Sequence, residues 1–93
     1  MNRYRIRISK LADQQIAAIK KSGDKAALKK LQKIIDELAE NPFDGSGNPE
    51  QLKYELSGMW SRRITSRDRI IYQVDEDIYI VSILSVIGHY ADK

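Results

Sequence analysis

Cysteine is absent from all 93 residues, and histidine occurs only once, as His89. Without cysteine the chain can form no disulfides or thiolate metal sites, and it has no catalytic thiol. A single histidine also falls short of the ligand sets that usually hold zinc, so we expect no metal site. A chain without cysteine suits the reducing cytoplasm, which is the expected location.

Long apolar segments are absent as well. The longest run, residues 78–87, is interrupted by two serines and is too short to span a bilayer, so no membrane partner is expected. Charges are spread through the first residues, MNRYRIRISKLADQ, which is not the pattern of a secretory signal. The sequence has neither a phosphate-binding glycine loop nor the glycine pattern that would support a Ser-His-Asp triad.

The composition is otherwise that of an ordinary globular protein, with 42% hydrophobic and 31% charged residues. The length suits one domain, which we expect to span residues 1–93. A net charge of +3 is only a weak indication of a polyanionic partner.

The first part of the chain has the pattern of a strand followed by two helices. Apolar and arginine side chains alternate in RYRIRIS, residues 3–9, which predicts a strand with one buried face. Ser9 and Asp24 are suited to begin the two helices, Gly23 to end the first, and Pro42 to stop the second. Apolar residues at helical spacing predict one buried face on each helix: Ala12, Ile16 and Ile19, then Leu28, Leu31, Ile35 and Leu38.

The second part begins with a loop, NPFDGSGNPEQ, and continues with three predicted strands. They are MWSRRITS, DRIIYQV and DIYIVSILSVIG, joined by tight turns at SRD and DED. The last strand is apolar on both faces, which predicts a central position in the sheet. The order β-α-α-β-β-β therefore predicts an α+β domain with two helices packed on one face of an antiparallel sheet. The other face is left free for a site.

Basic residues concentrate around the first hairpin of the predicted sheet. Alternation places Arg63 and Arg69 opposite each other on the free face, near Lys53, and two converging guanidinium groups are well suited to a phosphate. By pattern alone, however, such a cluster is more often a solvated strand face than a nucleic-acid interface. Glu50 is likewise an ordinary exposed loop acid unless an arginine-lined phosphate site adjoins it, where it could accept a proton.

His89 and Tyr90 stand near the end of the chain, directly after the apolar strand. A lone histidine there is usually a bystander, although imidazole is the best proton donor available near neutral pH. The adjacent tyrosine ring could stack on a nucleobase without regard to its sequence.

The blocks NPFDGSGNPEQLKYELSGMWSRRITSRDRIIYQV and the later HY resemble the YoeB/Txe branch of the RelE toxin superfamily. These are toxins of bacterial type II toxin–antitoxin pairs. The resemblance runs from the second helix onward, and LSGMWSRRI and the His-Tyr pair are its most specific parts. It implies a RelE-like fold and a ribosome-dependent endonuclease that cuts mRNA in the A site. It also implies a cognate antitoxin whose C-terminal segment folds on the toxin, with the 70S ribosome and mRNA as further partners and a homodimer as the frequent assembly.

The resemblance also implies roles for single residues. Glu50 corresponds to the general base, Arg69 to the group that stabilises the pentacoordinate phosphorus, and His89 to the general acid. The remaining predicted site residues are the aromatic Tyr90 and the RNA-binding Lys53, Arg62 and Arg63. The implied reaction is attack of a 2′-oxygen on the adjacent phosphate, which needs an acid, a base and positive charge but no cofactor.

Two other functions remain open at this point. One is a non-catalytic toxin of the same fold that poisons DNA gyrase, as in the ParE branch, whose members generally lack this acid, arginine and His-Tyr set. The other is a module that binds the ribosome or an operator without cleaving RNA.

Overall fold

The computed structural model describes residues 3–53 and 57–86. Its elements are β1 (Arg5–Ile8), α1 (Lys10–Ser22), α2 (Lys25–Glu40), β2 (Glu50–Gln51), β3 (Met59–Arg63), β4 (Arg69–Asp75) and β5 (Ile80–Ser85). The strands form one sheet in the order β1-β5-β4-β3-β2. In the part of the chain described, no helix is both long enough and apolar enough to cross a membrane.

The helix ends are set by the predicted capping residues. The Ser9 hydroxyl accepts a hydrogen bond from the backbone N–H of Ala12 at 2.9 Å, and Asp24 accepts one from Ala27 at 3.0 Å. Gly23 ends α1 with a φ of 80°, in the left-handed region that favours glycine. These three predictions are confirmed.

The α+β class is confirmed, but the sheet is mixed rather than antiparallel throughout. β1 pairs with β5 in parallel, whereas the pairs β2–β3, β3–β4 and β4–β5 are antiparallel. β5 therefore lies between β1 and β4, in the central position that its apolar sequence predicted. The two residues of β2 were predicted to be the end of the loop NPFDGSGNPEQ, and in the structure they form a short strand.

Side chains from both helices and the sheet form one core. It contains residues such as Leu31, Ile34, Tyr72 and Ile83, each at most 1% exposed. Side chains alternate between the faces of a strand, and paired residues share a face. The face opposite the helices therefore carries Glu50, Ser61, Arg63, Arg69 and Ile71, and it is called the helix-free face below.

The last strand begins later than predicted. Asp75 pairs with Ile80, so the residues between them form the turn and lie outside the strand. Ile78 and Tyr79 are strand-like by composition, yet they are 59% and 48% exposed. The Tyr79 backbone has a φ of 55°, a turn conformation, and its ring contacts Tyr4 edge-on at 5.4 Å between centroids.

Candidate active site

Glu50 and Arg69 meet on the helix-free face. Glu50 lies opposite Ser61 in the β2–β3 pair, and Arg69 begins β4 on the far side of β3. An Nη1 atom of Arg69 donates to Glu50 Oε1 at 3.5 Å, with 34% of the arginine side chain and 59% of the glutamate side chain exposed. Exposed ion pairs of this kind add little stability. Because both side chains are partly exposed, a ligand can reach the pair. The pair places a proton acceptor beside a fixed positive charge.

A second arginine adjoins this pair. Arg63 is the register partner of Arg69 across β3 and β4, and its side chain is exposed. Like charges in directly opposed positions repel each other unless an anion lies between them. The two guanidinium groups thus form a place where a phosphate would be stabilised from two sides.

Lys53 is exposed and lies two residues beyond the end of β2. The residue between them, Leu52, donates a hydrogen bond from its backbone N–H to the Met59 carbonyl at 2.9 Å. Because β2 and β3 are antiparallel, the chain after Glu50 runs towards the start of β3, whereas Arg63 lies at the end of β3. Lys53 is therefore on the side of Glu50 away from Arg63. Its charge adds to the positive potential around the site but gives no direct contact with the Glu50–Arg69 pair.

His89 and Tyr90 lie outside the described residues, so their roles stay predictions. The described chain does fix the direction in which β5 runs. Ser85 pairs with Ile71, and β5 and β4 are antiparallel, so β5 leads towards the end of the sheet at which Arg69 begins β4. The backbone N–H of Val86 then donates to the Gln15 side chain at 2.7 Å.

Arg62 does not face the site, and the prediction that it binds RNA is wrong. Its side chain is completely buried on the helix side of the sheet. The guanidinium donates to five protein oxygens at 2.8–3.4 Å: the Tyr72 hydroxyl, Glu37 Oε1 and the backbone carbonyls of Asn41, Asp44 and Ser46. An arginine side chain has five N–H donors, so none is left for a phosphate.

Glu37 on α2 is the ionic partner of Arg62, and sequence reasoning did not single it out. One carboxylate oxygen accepts from Arg62 at 2.8 Å and from the Ser46 backbone N–H at 2.7 Å, and the other accepts from the Ser46 hydroxyl at 2.8 Å. Burial raises the pKa of Glu37, but the hydrogen bonds from Ser46 and the charges of Arg62 and Lys33 together outweigh it. The pKa therefore lies below its ordinary value of 4.5.

This lowered pKa predicts a specific acid sensitivity. A carboxyl group with a depressed folded-state pKa stabilises the fold above its unfolded-state pKa, and that stability is lost as the pH falls through the folded pKa. We expect Glu37→Gln to lower the free energy of unfolding at pH 7 by about 1–3 kcal/mol, since charged hydrogen bonds are lost. The difference from wild type should shrink as the pH falls from the ordinary pKa of 4.5 through the lower folded-state pKa, because the wild-type carboxylate in the fold becomes protonated over that range. Urea unfolding at pH 7 and pH 3.5 measures both differences.

The matched control for this prediction is Asp36→Asn, the neighbouring carboxylate on α2, which is exposed. It should leave the pH dependence of stability close to that of wild type. Parallel stability curves for wild type and Glu37→Gln across this pH range would contradict the role given to Glu37.

Comparisons with known proteins agree with the resemblance noted in the sequence. A family model described as a YoeB-like toxin of bacterial type II toxin–antitoxin system matches residues 10–90. A toxin named YoeB from Synechocystis sp. is 50% identical over 60 residues, which cover 63% of this chain and 70% of that protein. The solved YoeB dimer from Staphylococcus aureus is similar with a TM-score of 0.80 and 32% identity, over 95% of this chain and 99% of that one. A YoeB–YefM toxin–antitoxin heterotetramer from the same bacterium is similar with a TM-score of 0.78 and 32% identity, over the same shares.

Proposed function

The chain belongs to the YoeB-like toxins of bacterial type II toxin–antitoxin systems, and from this we propose that it is an endoribonuclease that cuts mRNA in the ribosomal A site. The observation that carries the proposal is the contact between Glu50 and Arg69, with Arg63 opposite Arg69 on the same face. This arrangement supplies a base and two cations to one phosphate. Cleavage of the mRNA inhibits translation, and we place the protein in the cytoplasm.

In the proposed reaction Glu50 takes the proton of a ribose 2′-hydroxyl. The freed 2′-oxygen forms a bond to the adjacent phosphorus, and Arg69 and Arg63 stabilise the charge that develops on the phosphoryl oxygens. The bond between phosphorus and the 5′-oxygen then breaks, and His89 donates a proton to the departing oxygen. The products are a 2′,3′-cyclic phosphate and a free 5′-hydroxyl, so every proton is accounted for by the protein's own groups.

The remaining site residues act in binding. Lys53 attracts the RNA backbone, and Tyr90 stacks on a base next to the bond that is cut. The Glu50–Arg69 contact is weak and exposed, so we expect the ribosome to position the substrate. Free RNA should therefore be cut poorly.

Two protein partners are part of the proposal. The relative from Staphylococcus aureus is described both as a dimer and in a complex with the antitoxin YefM. We assign to this chain a cognate antitoxin whose C-terminal segment folds on the toxin, and self-association into a homodimer.

Primer extension on mRNA held in a programmed bacterial 70S ribosome tests the function. Wild type should give a sharp break in the A-site codon, and His89→Ala should lose it while still binding the ribosome. If the wild-type protein binds without cutting, the chain is a binding module. If it neither binds nor cuts but arrests growth through DNA gyrase, the ParE-type function replaces the proposed one.

A further inference from the structure

The segment that leads to Glu50, residues 41–49, contains no helix or strand. Glu50 itself belongs to β2, a strand of two residues. So short a ladder holds few hydrogen bonds, and the exposed contact with Arg69 at 3.5 Å is weak. The position of a base on such a strand must therefore depend on how the preceding segment is held.

Arg62 holds that segment from beneath. Its guanidinium binds the backbone carbonyls of Asn41, Asp44 and Ser46, which are spread along most of the segment. The Tyr72 hydroxyl, which accepts from Arg62 Nε at 3.1 Å, donates in turn to the Pro42 carbonyl at 2.7 Å. One buried side chain thus organises the path of the backbone from the end of α2.

Glu37 fixes the segment from the side of α2. Its carboxylate binds both the backbone N–H and the hydroxyl of Ser46, and it neutralises Arg62. A Cβ at Gly45 would lie 2.5 Å from Glu37 Oε1 and 2.8 Å from Arg62 Nη1, so a side chain there would have to displace the paired ends of these two residues. The segment is therefore packed closely against this ion pair and hydrogen-bonded to it.

The connection from this ion pair to Glu50 is short. Gly47 accepts a hydrogen bond from the backbone N–H of Arg63 at 2.6 Å, and a Cβ on Gly47 would lie 2.7 Å from the Arg63 carbonyl oxygen. Only Asn48, with a φ of 56°, and Pro49, whose ring restricts φ, separate Gly47 from Glu50. Little backbone freedom remains to absorb a displacement.

We propose that Arg62 and Glu37 are positioning residues that set the place of the Glu50 carboxylate relative to Arg69. The inference rests on the proposed nuclease function, because it gives Glu50 the part of the base. Neither residue touches the substrate. Misplacing a reacting group by about 1 Å can cost about 100-fold in rate, so a loosened segment should slow the chemical step without weakening ribosome binding.

A double-mutant cycle in single-turnover cleavage on programmed ribosomes tests this coupling. We expect Glu37→Gln to slow cleavage about 3- to 10-fold and Arg62→Lys about 10- to 100-fold, with unchanged affinity for the ribosome. In a Glu50→Gln background the same two changes should each alter the residual rate less than about twofold, because the group they position no longer acts as a base. Ile34→Val, a core substitution on the same helix, serves as the control for lost stability and should leave the rate unchanged.

Amide hydrogen exchange supplies a readout that does not depend on activity. In Glu37→Gln the amides of Arg63 and Leu52, which bond to Gly47 and Met59, should exchange at least about tenfold faster than the change in global stability accounts for, and core strand amides should follow the global change alone. Ile34→Val should not produce this local pattern. If Arg62→Lys does not fold, Glu37→Gln alone decides the question.

Three outcomes separate the possibilities. Equal fold-losses in the Glu50 and Glu50→Gln backgrounds would overturn the positioning role, because the effect would not pass through Glu50. Unchanged exchange at Arg63 and Leu52 together with an unchanged rate would also overturn it. If wild type does not cut RNA at all, the nuclease function fails and Glu50 is no base, whereas local exchange in Glu37→Gln would still show that the pair holds this segment.

Discussion

Replacing Arg62 by methionine is expected to lower the free energy of unfolding by about 3–5 kcal/mol, because the completely buried partner of an ion pair is removed together with its five hydrogen bonds. Methionine fills part of the space, but it leaves Glu37 without its cation and removes the donors for three backbone carbonyls. Domains of this kind are stable by about 5–15 kcal/mol, so the loss is a large share of the total. Urea or thermal unfolding followed by circular dichroism measures it.

Arg63→Met is the matched control, since it makes the same chemical change at the next residue of β3, where the side chain is exposed. It should change the free energy of unfolding by less than about 0.5 kcal/mol. Arg62→Met combined with Glu37→Met should be more stable than the sum of the single losses predicts, because the second change removes the unpaired charge of Glu37, whose side chain is only 27% exposed. Similar stability for Arg62→Met and Arg63→Met would show that Arg62 does not hold the fold.

The sequence predicted the elements well where a signal is local. The caps at Ser9, Gly23 and Asp24 act on backbone groups within three or four residues, so the sequence contains both partners side by side. The parallel direction of β1 beside β5, by contrast, has no such local signal. Alternation with a period of two reports which face of a strand is buried, but it is the same for parallel and antiparallel neighbours. The mixed sheet was therefore not predictable from RYRIRIS alone.

The Arg62 assignment shows where local charge misleads. Alternation placed Arg62 on the same side of its strand as Trp60 and Ile64, which was the available sign that it faces the core. The count of basic residues in the region favoured RNA instead. Its acidic partner, Glu37, lies 25 residues earlier on a helix, and no pattern within β3 could have identified it. Arg63 and Arg69 face each other as expected, because alternation placed both on the same face of a predicted hairpin. Glu50 was predicted to be an exposed loop acid, and only the family resemblance connected it with Arg69.

Removing the cation beside Glu50 should have a large effect on activity. We expect Arg69→Ala to slow A-site mRNA cleavage about 100- to 1,000-fold under single-turnover conditions, the loss typical of one group that stabilises transition-state charge. The side chain is partly exposed and its ion pair is long, so the fold should lose less than about 1 kcal/mol. Ribosome affinity should change little, because the charge acts mainly on the phosphate that is being cut. Quench-flow or timed primer extension gives the rate, and ribosome pelleting gives the affinity.

The control is Arg67→Ala, which removes the same charge from the exposed turn between β3 and β4. Because that turn lies outside the helix-free face, cleavage should stay within about twofold of wild type, as for most exposed surface changes. Arg69→Lys should recover only part of the lost rate, since a single ammonium cannot reproduce the two-pronged contact of a guanidinium with a phosphate. If Arg67→Ala slows cleavage as much as Arg69→Ala, the arginines act through overall charge alone. If only Arg69→Ala is slow, positive charge is needed at the one place where the base and the phosphate meet.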